Sequence, residues 1–133
     1  MTWSMGGYRF GIDGSKVRIP VNSEPDDTVV ADAVGAVIEH GGILEVGHSP
    51  EPTLGVDKLT LYSEWGTYFL LGGEFAEDGD YTVRTINGTP GAQGFENMFG
   101  EPYPAYAFST DKELVAKVFR EFAATRKFGP EFE

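Results

Sequence analysis

The chain of 133 residues has 21 acidic and 10 basic side chains, a formal net charge of −11 at pH 7, and its basic residues are too scattered to bind nucleic acid or anionic membranes. It contains no cysteine, which excludes disulfide frameworks, cysteine-based zinc sites and thiol catalysis. Length and 41% hydrophobic residues predict one domain over residues 1–133, and the absence of a signal or membrane-spanning segment predicts a cytoplasmic location.

The first half of the chain predicts four strands and one helix. The elements are, in chain order, strands over residues 8–12 and 16–21, a helix over 29–38, and strands over 43–48 and 58–63. The helix follows Asp26 and Asp27, whose negative charge suits a helix N-terminus, and it ends at Gly41 and Gly42.

The second half predicts two strands and a second helix. Residues 67–71 are almost continuously apolar, which indicates a central strand covered on both faces, and a hairpin turn at Gly79 leads to a strand over 81–86. Thr110 and Glu113 have the spacing of a capping box, in which each side chain satisfies a free backbone N–H at the start of a helix.

These elements predict the fold class. The strands are joined by connections of hairpin length, and two amphipathic helices each need a surface to cover. We therefore expect an α+β fold in which a mostly antiparallel sheet of about five to seven strands is packed by two helices. The glycine doublet at 6–7 and the one at 72–73 lack a phosphate-binding context and are interpreted as bends or bulges.

The sequence offers no recognisable catalytic set. His40 and His48 have no metal-binding spacing, and His48 with its neighbour Ser49 is not an arrangement that activates a nucleophile. Asp78 and Asp80 flank a glycine but lack the further ligands of a calcium loop. The sequence therefore predicts a protein that is not an enzyme and that has no cofactor and no metal.

The acidic excess instead predicts binding to a positively charged partner. The densest acidic segment lies around the turn at Gly79, and exposed aromatic side chains could anchor a partner beside it. The candidate partner-binding residues are Glu74, Glu77, Asp78, Asp80, Trp65 and Tyr103.

Four segments in the second half of the chain carry a resemblance to a known family. They are residues 66–71 (GTYFLL), 80–85 (DYTVRT), 99–105 (FGEPYPA) and 119–122 (FREF). The chain resembles small bacterial immunity proteins of polymorphic toxin systems, often encoded beside deaminase toxins. It is also similar to a related uncharacterised bacterial family with a Tyr-x-Val-Arg-Thr strand.

The resemblance implies a non-enzymatic protein that binds a cognate toxin in the cytoplasm of the producing cell and blocks its active site. An acidic inhibitor would also be steered rapidly into the basic cleft of such a toxin. Two alternatives stay open. One is a small-molecule-binding or enzymatic α+β domain with an aromatic-lined pocket, and the other is a structural module that forms homo-oligomers through an exposed apolar patch.

Overall fold

The computed structural model describes residues 2–133. The strands are β1 (Thr2–Phe10), β2 (Lys16–Ser23), β3 (Gly42–Ser49), β4 (Gly55–Glu64), β5 (Thr67–Phe75), β6 (Tyr81–Arg84), β7 (Phe95–Met98), β8 (Glu101–Pro104) and β9 (Phe108–Ser109). The helices are α1 (Asp27–His40) and α2 (Lys112–Thr125), and a short 3₁₀ turn covers Ala105–Ala107. Neither α1 nor α2 is long and apolar enough to cross a membrane.

The main sheet has the strand order β2-β1-β3-β4-β5-β6, and the short β9 pairs with the start of β5. All of these pairs are antiparallel. Helix α1 connects β2 to β3, so β1 lies between two strands that are separated by a helix in the chain. This seven-stranded sheet with two helices confirms the predicted α+β class.

Both helices contribute to the core on one face of the sheet. Helix α1 contributes Val30, Val34 and Val37, α2 contributes Val115, Phe119 and Phe122, and the strands contribute Trp3, Leu44, Val46, Leu59, Leu61 and Leu70. The Trp3 indole is 1% exposed and donates from Nε1 to the carbonyl of Ala123 at 3.0 Å. This hydrogen bond satisfies the buried indole donor and joins the first strand to the last helix.

A second apolar cluster lies on the opposite face of the sheet. Alternate residues of a strand point to opposite faces, so Leu70 enters the helix-side core while Phe69 packs beneath the β7–β8 hairpin. The Tyr103 ring of this hairpin lies 4.4 Å from the Phe69 ring, and Met98 is buried beside them. The prediction that β5 is covered on both faces is thus confirmed. The part of this face that the hairpin leaves uncovered is called the open face below.

Each helix begins at an aspartate. Asp26 Oδ1 accepts a hydrogen bond from the Val29 amide at 2.9 Å, and Asp111 Oδ1 accepts one from the Leu114 amide at 3.1 Å. The predicted capping role of Thr110 is therefore wrong, because the chain is still extended at Asp111 and helical only from the next residue. The spacing to Glu113 fits Thr110 and does not fit Asp111, so the capping-box pattern selected the wrong residue.

Several strand limits differ from the sequence prediction because a strand extends only as far as its pairing with a neighbour. Strand β1 starts at Thr2 and ends at Phe10, which leaves Ile12 in a turn closed by a hydrogen bond from the Gly11 amide to the Ser15 carbonyl at 2.7 Å. Strand β6 stops at Arg84. Strands β7, β8 and β9 were not predicted.

Gly72 and Gly73 lie in paired strand rather than in a bend, whereas the doublet at 6–7 does coincide with a bulge.

Candidate binding site

An acidic groove of about 480 Å³ crosses the open face between β3 and β6. Its charged and aromatic lining residues are Glu45, Glu51, Asp57, Lys58, Tyr62, Phe75 and Tyr81. The groove lined by these residues is called the acidic groove. It contains three carboxylates from β3, β4 and the segment between these two strands.

Strand alternation explains how the central residues reach the groove. In β4, Leu59 and Leu61 are buried under the helices, so Thr60 and Tyr62 point to the open face. Glu45 is the direct partner of Thr60 on β3, and its Oε2 lies 3.5 Å from the Thr60 hydroxyl. The apolar residues that enter the core on the helix side therefore also determine which polar residues lie on the open face.

Asp57 reaches the groove through an irregularity in β4. Val56 pairs with Glu74 and Lys58 pairs with Gly73, so Asp57 is an extra residue that forms a β-bulge. The bulge places Asp57 against the sheet with 4% of its surface exposed. A carboxylate this deeply buried requires hydrogen-bond partners.

Tyr81 supplies one such partner. Its hydroxyl donates to Asp57 Oδ2 at 2.7 Å, and the ring reaches this position by lying across Gly73. A Cβ atom at residue 73 would be 1.9 Å from the Tyr81 hydroxyl oxygen. Glycine at this position therefore provides the space that brings the phenol of β6 to the carboxylate of β4.

Carboxylates outnumber basic side chains by three to one in the lining of the groove. Burial raises the pKa of Tyr81, and the hydrogen bond to Asp57 and the charges of Asp57, Glu51 and Glu45 raise it further. Burial likewise raises the pKa of Tyr62, with smaller contributions from Tyr103, Glu45 and Tyr8. Both phenols are therefore neutral hydrogen-bond donors at physiological pH, and the acidic side chains around them favour a cation.

The structure divides the four acidic residues predicted from the sequence. Glu77, Asp78 and Asp80 are exposed in the turn between β5 and β6, and Asp78 Oδ1 accepts from the Asp80 amide at 3.0 Å. This turn adjoins the groove at Phe75 and Tyr81.

Glu74 has a different environment from the other three. Adjacent strand residues point to opposite faces, so Glu74 lies on the helix side whereas Phe75 lies on the open face. Glu74 Oε1 accepts from Arg84 Nε at 2.6 Å, and this ion pair neutralises its charge. The structure therefore does not bring Glu74 together with the other candidate acids.

The two predicted aromatic anchors, Trp65 and Tyr103, also have different environments. Trp65 is 96% exposed at the turn between β4 and β5, as expected, whereas Tyr103 is half-buried against Phe69. Trp65 and the acidic turn lie at opposite ends of the nine-residue strand β5, about 30 Å apart at the usual rise per residue. The six predicted residues do not form one continuous surface.

Sequence reasoning missed Glu45, Glu51 and Asp57. Glu45 carried a usable signal, because it is the charged residue of an alternating strand, whereas its pairing with Thr60 is visible only in the structure. Asp57 carried none, since a bulge depends on how two distant strands pair.

The histidines lie outside the acidic groove. The His48 ring contacts the Trp3 ring at a centroid distance of 4.7 Å, and His40 is at the exposed end of α1. Within residues 2–133, no group of three histidine or carboxylate side chains is arranged to hold a metal ion.

Comparisons with known proteins bear on the fold and the family. A crystal structure of a hypothetical protein from Neisseria gonorrhoeae is similar, with a TM-score of 0.80 and 24% identity over 97% of this chain and 91% of that chain. That likeness concerns the fold. No curated protein matches. Neither result concerns toxin systems, so the resemblance to immunity proteins stays a prediction. The model of a family of unknown function, DUF6911, matches residues 2–130, and the chain belongs to that family.

Proposed function

We propose that this protein is a non-enzymatic binding protein that holds a cationic segment of a partner protein in its acidic groove. In its more specific form, the proposal is that the partner is a bacterial toxin, which this protein inhibits in the cytoplasm of the producing cell. The observation that supports the proposal best is the convergence of Glu45, Glu51 and Asp57 on one groove. Among the described residues that line it, Lys58 is the single basic one.

The groove has the chemistry to bind lysine or arginine side chains. A carboxylate oxygen can accept more than one hydrogen bond, so Asp57 keeps capacity beyond the bond from Tyr81. Charge-assisted hydrogen bonds are stronger where water is partly excluded, as it is around this buried carboxylate. The ring of Tyr62 adds a surface on which a guanidinium group can stack.

The acidic turn extends this negative surface beyond the groove. Glu77, Asp78 and Asp80 adjoin one end of it, and the whole chain has a net charge of −11. A field of this sign accelerates the approach of a basic partner and weakens with added salt. A toxin that acts on nucleic acid contacts phosphates through basic residues, so the charge and the family resemblance both support toxin inhibition.

Binding of an arginine-rich peptide, measured by isothermal titration calorimetry at low and high salt, tests the general proposal. We expect Glu45→Gln and Asp57→Asn to weaken binding by about tenfold each, because each removes a charged acceptor. Glu96→Gln is the matched control, since Glu96 is an exposed carboxylate on the separate β7–β8 hairpin.

Equal affinities for the groove variants and the control, or an affinity that salt does not change, would overturn the electrostatic mechanism. The toxin-specific form requires a second measurement, namely inhibition of the product of the neighbouring gene. Normal growth of cells that express that product together with Asp57→Asn and Glu45→Gln variants would contradict it.

A second candidate function is the binding of a small cationic molecule. It is supported by the dimensions and walls of the groove, which has about 480 Å³ of space beside Tyr62, Phe75 and Tyr81. Titration with free arginine and with a linear diamine distinguishes the two candidates. Affinity for a small cation that equals the affinity for the peptide would favour the small molecule.

A further inference from the structure

Trp65 occupies a position that normally excludes tryptophan. It forms a two-residue turn with Gly66 between β4 and β5, and both residues have positive φ angles, 53° and 77°. Turns of this geometry favour asparagine, aspartate or glycine, because a bulky side chain is strained in the left-handed region. The indole is also 96% exposed. Neither the turn nor the core therefore accounts for tryptophan at this position, and strain of this kind points to a binding role.

A groove of about 440 Å³ lies directly beside this indole. Its wall consists of Phe10, Ile12, His40 and Glu64 together with glycines of the β1–β2 turn and the end of α1. This groove is called the Trp65 groove. Ile12 is fully exposed, so a second large apolar side chain borders the same space.

We propose that the Trp65 groove binds the Trp65 indole of a second copy of this chain, in a two-fold symmetric dimer. A two-fold contact uses the same surface on both partners, so it requires a protruding group and a complementary recess next to each other. Trp65 and its adjoining groove provide that pair of features on one end of the sheet. Each copy would bury one indole and receive one.

The charges around the groove favour a second copy over a basic partner. Its lining contains one carboxylate, Glu64, whose Oε1 already accepts from the Phe99 amide at 3.3 Å. The acidic groove, in contrast, is lined by three carboxylates. Two chains that each have a charge of −11 repel one another, so contact between copies costs least where carboxylates are few.

This dimer leaves the acidic groove accessible and does not depend on the proposed function. Asp57 and Trp65 lie at opposite ends of β4, about 25 Å apart at the usual rise per residue. The contact surface around Trp65 and Ile12 is small, so we expect a dissociation constant on the order of micromolar.

Sedimentation velocity of the intact chain, from low micromolar to submillimolar concentration, tests the proposal. We expect the mass to rise toward that of a dimer, and the tryptophan emission to shift to shorter wavelength in parallel. Trp3 is buried at every concentration, so the shift reports on Trp65. Trp65→Asn should weaken dimerisation by at least about tenfold, and it should fold normally because asparagine suits the turn.

Phe95→Ser is the matched control, because Phe95 is also a large exposed apolar residue but lies on β7. It should dimerise like the wild type. Added salt should preserve or strengthen the dimer, whereas it should weaken binding of a basic peptide to the acidic groove. A wild type that stays monomeric throughout, or a dimer that Trp65→Asn leaves unchanged, would overturn the proposal.

Discussion

The hydroxyl of Tyr81 donates a hydrogen bond of 2.7 Å to the buried carboxylate of Asp57. The two residues belong to strands β6 and β4, and β5 lies between them. The bond therefore crosses a whole strand, which is feasible because Gly73 of β5 has no side chain in its path. A bulge, a glycine and a phenol together hold a carboxylate in the acidic groove.

Gly73→Ala should destabilise the protein by about 1–3 kcal/mol, because the new methyl group displaces Tyr81 and leaves Asp57 without its partner. Urea unfolding measures this change. A Tyr81→Ala background provides the control, since the methyl group then has no ring to displace. A cost of Gly73→Ala that is equal in both backgrounds would contradict the arrangement.

Stability should decrease at alkaline pH. Burial is the main cause of the raised pKa of both Tyr81 and Tyr62, so the folded chain keeps these protons where the unfolded chain loses them. The unfolded state then binds fewer protons, and the free energy of unfolding falls as pH rises above about 10. Below that pH this contribution is intact. Urea unfolding across the alkaline range should show the decrease, and Tyr81→Phe should reduce its slope. Equal slopes for both proteins would refute this explanation.

Asp111→Ala should destabilise the protein by about 1 kcal/mol, because it removes the acceptor for the Leu114 amide at the start of α2. Thr110→Ala should change the free energy of unfolding by less than about 0.5 kcal/mol, since Thr110 is exposed outside the helix. Thermal unfolding of the two variants compares the two capping candidates directly. A larger loss for Thr110→Ala would restore the capping role predicted from the sequence.

Gly35→Ala should stabilise the protein by about 0.5–1 kcal/mol. Gly35 is exposed in the interior of α1, and a Cβ atom there would meet no atom within 4 Å. Gly47→Ala is the contrasting variant, because its Cβ would lie 2.7 Å from the Asp57 carbonyl oxygen. Chemical unfolding should therefore give changes of opposite sign, and a loss of stability in Gly35→Ala would be inconsistent with this environment.

Local sequence patterns predicted both helices and most of the main sheet. The apolar spacing that indicated α1 and α2 also identified the residues that form the helix-side core, such as Val37 and Phe119. The exposed hairpin turns at Trp65 and Gly79 followed from residues next to one another in the chain. Strands β7 to β9 were missed because they are short and contain little alternation.

The candidate site was predicted in part. Glu77, Asp78 and Asp80 were identified as exposed turn residues, and they adjoin the acidic groove. Glu74 was grouped with them because it is close in sequence, but strand alternation turns it to the other face and toward Arg84. Asp57 was missed because it meets Tyr81 only when the three strands β4, β5 and β6 pair in register.

The sequence by itself determined the helices, the hairpin turns, the net charge and the α+β class, because each depends on composition or on neighbours a few residues apart. The tertiary structure decided which carboxylates share a groove and where the first strand inserts into the sheet. It also placed the exposed indole of Trp65, whose backbone has a positive φ, beside a recess at the far end of β4. Such outcomes depend on strand register and β-bulges, which arise from hydrogen bonds between segments far apart in the chain.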